Sequence, residues 1–304
     1  MYLEAVNLKK RYGKFVALKS LNLKVEGRKC VGYLGPNGAG KTTTLKLFTR
    51  LLNPSGGEAI IDGYSVFKEP KRALSNVGTL IEMPGLYPYL TPEENLRLIC
   101  ELRLKTDCDI KGALEAVRMY EWRNKRVGKF SKGMIQRVAL AAALVTDPEI
   151  LILDEPTSGM DPRGMAEIRN IIKSLKKDSK LIFMSSHLLS EVTEVCDEVA
   201  MLNHGTLLLY DSVNSIVERY RSSAVELTTL TPVDLSVIQS IEGVKSAEQL
   251  APNRVRIEFD GGAEQQYRIL NSLLSREIKV IEYRSSGMAL ENAYLKLIGG
   301  EAHE

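Results

Sequence analysis

The run Gly35-Pro36-Asn37-Gly38-Ala39-Gly40-Lys41-Thr42-Thr43 constrains this chain more than any other segment. It fits the spacing G-x-x-x-x-G-K-[ST] at Gly35, Gly40, Lys41 and Thr42. Taken alone it could be a plain glycine-rich turn. Here the apolar segment Cys30 to Leu34 leads into it, and a helix-like segment from Lys41 to Leu52 leads out. In a strand–loop–helix order, the loop N–H groups and the helix N-terminus converge on one spot and suit a polyanion. Lys41 is then expected to reach the β- and γ-phosphates of a nucleotide, and the Thr42 hydroxyl to hold Mg2+.

A loop of this kind needs a buried parallel sheet behind it, and the pattern up to about residue 220 supplies one. Ile150 to Leu153 and Leu181 to Met184 are continuous apolar runs, as expected of strands covered on both faces. Between them Asp161 and Pro162 can start a helix whose Met165, Ile168, Ile172 and Leu175 share a face. Residues 84–145 differ. Thr91-Pro92-Glu93-Glu94 is a capping box, followed by Leu96, Ile99 and Leu102 at helical spacing, so a helical insert is expected there. A hairpin is expected from Glu198 to Leu202 and Thr206 to Tyr210, around Asn203-His204-Gly205.

At 304 residues, one large domain plus a smaller one is the default. Arg221-Ser222-Ser223 reads as the linker. Beyond it the order strand, helix, two strands, helix, strand fits a ferredoxin-like unit, with Val255, Ile257 and Phe259 inward and a last helix over 289–298. The strand from Val244 to Leu250 carries the weakest pattern. The charge of +3, from 41 basic and 38 acidic residues, leaves no nucleic-acid footprint. Cys30, Cys100, Cys108 and Cys196 lack metal or redox spacing, so buried free thiols in a reducing compartment are expected. The strongest apolar stretch, Val138 to Val145, is too short to span a bilayer.

The strand Ile150 to Leu153 ends in Asp154-Glu155. Two acids at a strand end could simply be polar caps. Downstream of a phosphate loop they suit a magnesium ligand, Asp154, and a base, Glu155, aimed at the water that attacks the γ-phosphate.

Further motifs resemble those of ABC ATPases. Phe130-Ser131-Lys132-Gly133-Met134-Ile135-Gln136-Arg137 is similar to the signature sequence of that family. Ser158-Gly159-Met160-Asp161 is similar to its D-loop, Ser185-Ser186-His187 to its switch histidine, and Tyr12 to the aromatic that stacks on adenine. The resemblance covers residues 2 to about 220. It implies an α/β fold: a RecA-like P-loop NTPase core with an antiparallel β subdomain and an inserted helical subdomain at about 84–145. Residues 1–220 would form the ATPase domain and 224–304 a small α+β ferredoxin-like accessory domain.

The resemblance also implies ATP and Mg2+ as cofactors. Gly35, Pro36, Asn37, Gly38, Ala39, Gly40, Lys41, Thr42 and Thr43 would bind ATP together with Tyr12, Ser131, Gly133 and Asp161. Glu155, His187 and Lys41 would act in hydrolysis, and Thr42, Asp154 and Glu82 would face the metal. His187 would contact the γ-phosphate of its own site, and Ser131 and Gly133 that of a partner's site in a head-to-tail dimer. His204 receives no role.

Three positions depart from the family pattern. Glu82 stands where glutamine is usual, and an ionised glutamate cannot donate a hydrogen bond to the attacking water. Lys132 and Met134 replace a common glycine and glutamine; Lys132 could bring a cation to the partner's γ-phosphate or stay solvated. With Leu86-Tyr87-Pro88 and Leu90-Thr91, these variants look like exporters of the drug- and peptide-resistance type, including bacitracin and lantibiotic self-protection systems. The tail motif Ala289-Leu290-Glu291-Asn292-Ala293-Tyr294-Leu295 is similar to the end of the extra domain on such ATPases, whose role is either regulatory or dimer-stabilising, or passive. The expected partners are separate transmembrane permease subunits and a second ATPase subunit, identical or similar, at the cytoplasmic side of the cell membrane. The alternatives are a soluble ABC ATPase acting on nucleic acid or ribosomes, and a nucleotide-binding regulator without turnover, which Glu155 and His187 together argue against.

Overall fold

The computed structural model describes residues 1–82, 85–177, 180–219 and 224–285. The expected linker at 221–223 and the expected last helix at 289–298 lie outside them. The chain divides into two compact units, Met1–Val213 and Asn214–Glu304.

In the first unit, β1 (Tyr2–Tyr12) and β2 (Phe15–Glu26) form a hairpin that buries Leu3, Ala5, Leu8, Leu18, Leu21 and Leu23. β3 (Cys30–Leu34) leaves that layer and enters α1 (Lys41–Phe48) through the glycine loop. β4 (Gly56–Ile61) and β5 (Tyr64–Ser65) return to the antiparallel sheet, ordered β2-β1-β4-β5, and α2 (Pro70–Ala73) leads on to β6 (Val77–Leu80). α1 stops four residues before Leu52. Arg50 turns left-handed at φ 57, and the Leu51 and Leu52 N–H groups both donate back to the Lys46 carbonyl, at 2.9 and 3.2 Å. A left-handed residue after the last turn is a common helix stop.

The helical insert contains α3 (Pro92–Leu102), α4 (Ile110–Ala116) and α5 (Lys132–Leu144). The capping box forms as expected: Glu94 N donates to Thr91 Oγ1 at 3.2 Å, and Thr91 N donates to Glu94 Oε2 at 2.8 Å. The expected helix forms, but its apolar residues do not all share the buried face. Leu102 is 73% exposed, while the buried face of α3 runs through Asn95, Leu96 and Cys100. Leu102 lies six residues beyond Leu96, more than one and a half turns, and so faces away. The free-thiol expectation is also corrected at two of four cysteines. The loop after α3 returns Cys108 beside Cys100, and the two form a disulfide. Cys30 and Cys196 are free and buried, with their sulfurs 3.6 Å apart.

The central sheet gathers β7 (Ile150–Leu153), β8 (Leu181–Ser186), β9 (Glu198–Asn203) and the antiparallel edge strand β10 (Thr206–Ser212) in the order β10-β9-β3-β8-β7-β6. The pairings β9-β3, β3-β8, β8-β7 and β7-β6 are parallel. Every residue of β3, β7 and β8 is buried, which is why these strands are continuous apolar runs rather than alternating ones. α6 (Pro162–Lys177) and α7 (Leu189–Val195) connect β7, β8 and β9. Asp161 caps α6 through its Oδ1, which accepts from Gly164 N at 3.1 Å, and Ile168, Ile171, Ile172 and Leu175 face inward. The β9–β10 turn places His204 and Gly205 at φ 42 and 74, a pair of left-handed residues that suits a two-residue hairpin.

The second unit begins in α8 (Val213–Arg219). It continues through β11 (Ala224–Thr229), α9 (Leu235–Gln239), β12 (Val244–Ala251), β13 (Arg254–Phe259), α10 (Ala263–Ser275) and β14 (Val280–Ser285). Its antiparallel sheet is ordered β12-β13-β11-β14. Val225, Leu227, Val255, Ile257 and Phe259 meet Ile269 and Leu273 of α10 in its core. β12 is an edge strand with no fully buried residue, and this explains its weak sequence pattern.

On the opposite face of β11, the Glu226 carboxylate accepts from Arg284 at 2.9 Å and Arg254 at 2.6 Å. These two hydrogen bonds, Arg284 first, lower its pKa from the ordinary 4.5 to about 2. The stabilisation is therefore complete above the unfolded value near 4.5 and is lost as pH falls through the folded value near 2. Glu226→Gln is expected to lower the stability of this unit at pH 7 by roughly 1 kcal/mol, and the gap to wild type to close through that acid window. Urea melts of the full chain from neutral to acid pH check this; a gap that does not narrow would contradict it.

Candidate nucleotide site

The glycine loop fits because its backbone is pressed against two neighbours. A Cβ on Gly35 would lie 2.3 Å from the Leu202 carbonyl oxygen, and one on Gly40, at φ 107, would lie 2.5 Å from that of Ala17. No side chain is tolerated at either point. Gly205 of the β9–β10 turn reinforces the loop, its N–H donating to the Ala39 carbonyl at 2.9 Å.

Lys41, the first residue of α1, folds back into this loop and is only 5% exposed. Its ammonium donates to the carbonyl oxygens of Gly35 at 2.8 Å and Pro36 at 3.1 Å, and lies 3.5 Å from Glu155 Oε1. Thr42 donates to Asp154 Oδ1 at 3.2 Å. The same oxygen accepts from Ser185 Oγ at 2.6 Å, while Ser185 Oγ accepts from the Glu155 N–H at 2.9 Å. His187 Nδ1 is 3.1 Å from Glu155 Oε2. Glu155 itself sits at φ 41, an unusual conformation for a non-glycine residue and one that neighbours must hold in place.

Lys41, Thr42, Asp154, Glu155 and His187 thus form one connected cluster at the C-terminal ends of parallel strands, the usual ligand-binding edge of such a sheet. Beyond the glycine loop, the candidates Glu82, Tyr12, Ser131, Gly133 and Asp161 lie outside this cluster. Glu82, at φ 58, is held in an ion pair with Lys46, one turn beyond Thr42 on α1. Tyr12 is 45% exposed near the end of β1, with the Lys10 ammonium 5.1 Å from its ring centre. Ser131 caps α5 by accepting from Met134 N at 3.3 Å. Ser131, Lys132 and Gly133 line a surface cavity together with Gly159, Met160 and Asp161. Lys132 is exposed and reaches Gly159 of its own chain, where a Cβ would lie 2.0 Å from its Nζ.

Sequence reasoning missed Ser185, Lys46 and Glu191. Ser185 stood inside the Ser-Ser-His motif, where only the histidine received a role. Glu191 carried no signal, since a glutamate four residues after His187 on a short amphipathic helix reads as solvent-facing.

A strand-held glycine loop, a buried lysine, an aspartate on the threonine hydroxyl and a glutamate–histidine pair define a P-loop nucleoside triphosphatase. Comparison with known proteins narrows this class. Residues 18–158 match the family described as ABC transporter. The bacitracin transport ATP-binding protein BcrA of Bacillus licheniformis is 35% identical over 301 residues, 98% of this chain and 97% of the relative. The lantibiotic transport ATP-binding protein SrtF of Streptococcus pyogenes is 35% identical over 223 residues, 72% of this chain and 96% of the relative. Among solved structures, the dimeric ATP-binding cassette MJ0796, in a post-hydrolysis state with ADP and Pi, superimposes with a TM-score of 0.62 at 26% identity. That match covers 69% of this chain and 98% of the neighbour. The chain belongs to the ABC transporter family, as an ATP-binding subunit that hydrolyses ATP to power transport. Its first unit has the cassette fold.

Lys41→Ala removes the one ammonium inside the loop, and ATP affinity is expected to fall by about tenfold or more. Equilibrium titration with a fluorescent ATP analogue checks this, and unchanged affinity would contradict the placement of the phosphates.

Proposed function

We propose that this chain powers export of membrane- or wall-active antimicrobial compounds, of the class represented by bacitracin and lantibiotics, and so confers resistance. The observation that carries hydrolysis is the Glu155–His187 contact at 3.1 Å beside the buried Lys41. Likeness along nearly the whole length to a bacitracin transport subunit supports the cargo class.

In this reading Gly35 to Thr43 wrap the phosphates of ATP and Tyr12 stacks on the adenine. Glu155 accepts the proton of the attacking water, and His187 orients Glu155 and touches the γ-phosphate. Asp154 and Thr42 present hard oxygen donors 3.2 Å apart, which fit Mg2+. When bound, that ion would neutralise charge on the β- and γ-phosphates. Glu82 would join these ligands only after leaving Lys46.

Two such subunits would pair head to tail, Ser131 and Gly133 of each covering the nucleotide in the other, with Asp161 at the seam. The dimeric neighbour supports this pairing. Within one chain, Ser131 and Gly133 share no hydrogen bond with Glu155 or His187 among the described residues, and the cavities the two pairs line meet only at Gly159.

Separate permease subunits would supply the membrane path, the present chain lying against their cytoplasmic side. Among the described residues no helix is long and apolar enough to cross a membrane. We read residues 1–220 as the ATPase domain and 224–304 as a ferredoxin-like accessory domain. The βαββαβ order and the antiparallel β12-β13-β11-β14 sheet support the second assignment.

Glu155→Gln is expected to bind ATP, hydrolyse it about tenfold or more slowly and accumulate as a dimer. Turnover and size-exclusion chromatography with ATP test this; wild-type turnover would reject Glu155 as the base. Glu82→Gln is expected to keep hydrolysis and change transport of the antimicrobial, measured as resistance in cells carrying the permease. Loss of folding with transport per folded molecule unchanged would make Glu82 structural.

A further inference from the structure

Glu191, in the first turn of α7, is 2% exposed, and ATP chemistry makes no direct use of it. Its two carboxylate oxygens serve different segments, the turn after β7 and the end of β8. Oε1 accepts from the Thr157 hydroxyl, two residues after Glu155. Oε2 accepts from the Ser186 hydroxyl at 2.7 Å, and Ser186 immediately precedes His187. Ser186 Oγ also accepts from Leu188 N at 2.9 Å, fixing the backbone on the far side of the histidine. A carboxylate so deeply buried is costly unless its hydrogen bonds are made, so the two hydroxyls are held as firmly as they hold it.

We propose that Glu191 is the positioning residue that sets Glu155 against His187. Two ties join the turn after β7 to the end of β8. On one side Ser185 binds the Glu155 N–H and the Asp154 carboxylate. On the other Glu191 binds Thr157 and Ser186. The Glu155–His187 contact lies between these ties, and Glu155 keeps its left-handed backbone there. The cavity beside the pair is lined by Glu155, Thr157, His187 and Glu191, so loss of the Glu191 tie opens directly onto it. Lys41 and the glycine loop lie on the Ser185 side and are untouched by Glu191. A defect there therefore reaches the hydrolytic step and spares ATP binding.

The inference rests on Glu155 and His187 being the hydrolytic pair. The test compares Glu191→Ala, Glu191→Gln, Thr157→Val and the double variant Glu191→Ala/Thr157→Val in the full chain, measuring kcat and KM for ATP. Glu191→Ala is expected to lower kcat by about tenfold or more while KM stays within about twofold, since slight misplacement of reacting groups is costly. Glu191→Gln is expected to restore most of kcat, because its amide can accept from one hydroxyl and donate to the other when that hydroxyl turns. Thr157→Val is expected to lower kcat alone, and the double variant to lose little more than Glu191→Ala.

Wild-type kcat in Glu191→Ala or Thr157→Val, KM rising together with the fall in kcat, a Gln variant as impaired as Ala, or full additivity would each overturn the proposal. Should Glu191→Ala fail to fold, Thr157→Val and Glu191→Gln carry the same kcat-against-KM comparison. Normal turnover in Glu155→Gln would instead overturn the assignment of the base, and is read separately.

Discussion

One buried carboxylate organises this molecule's first unit. Asp154 accepts from Thr42 on α1 and Ser185 on β8, and its N–H donates to Leu80 O of β6 at 2.7 Å. Four elements that are far apart in sequence therefore converge on a single residue at the end of β7. Leaving such a carboxylate unpaired in the interior would cost several kcal/mol. Any register error in the parallel sheet would break at least one of these bonds. The requirement that binds the strands in order is thus the same one that sets the phosphate loop beside the two acids.

Much of this was legible in the sequence because its physical causes are local. The glycine loop declares itself through positions where a Cβ would strike Leu202 O and Ala17 O. The buried strands declare themselves as unbroken apolar runs, and α3 through the reciprocal bonds of Thr91 and Glu94. Less legible was whatever depended on distant partners. The spacing of Leu96, Ile99 and Leu102 announced a helix but not which of its residues are buried, and Cys100 and Cys108 carry no spacing that announces a bond between them. Lys46 and Glu82 are 36 residues apart, and only the fold makes them an ion pair.

Glu191 is the sharpest case of what a sequence hides. Nothing local distinguishes it from Glu194, three residues later in the same helix. Glu194 faces Arg169 and Lys173, and hydrogen bonding to Lys173 keeps its carboxyl below the ordinary range, as for many surface acids. Glu191 faces two hydroxyls in the interior. One helical turn separates a solvated ion pair from a buried brace.

The geometry around Lys41 also sets an order of events. Its ammonium is occupied by two loop carbonyl oxygens and lies 3.5 Å from Glu155, so the loop's own cation is partly neutralised by the residue assigned as base. Phosphate oxygens entering the loop compete for the same ammonium, and as polyanions they compete well. Drawing Lys41 towards the phosphates would release Glu155 Oε1 from its 3.5 Å contact with the ammonium. Glu155 keeps its place meanwhile, because His187 and the Ser185 hydroxyl hold it from the other side. Nucleotide binding would then free the Glu155 carboxylate through one exchange of partners at Lys41, with no movement of the sheet.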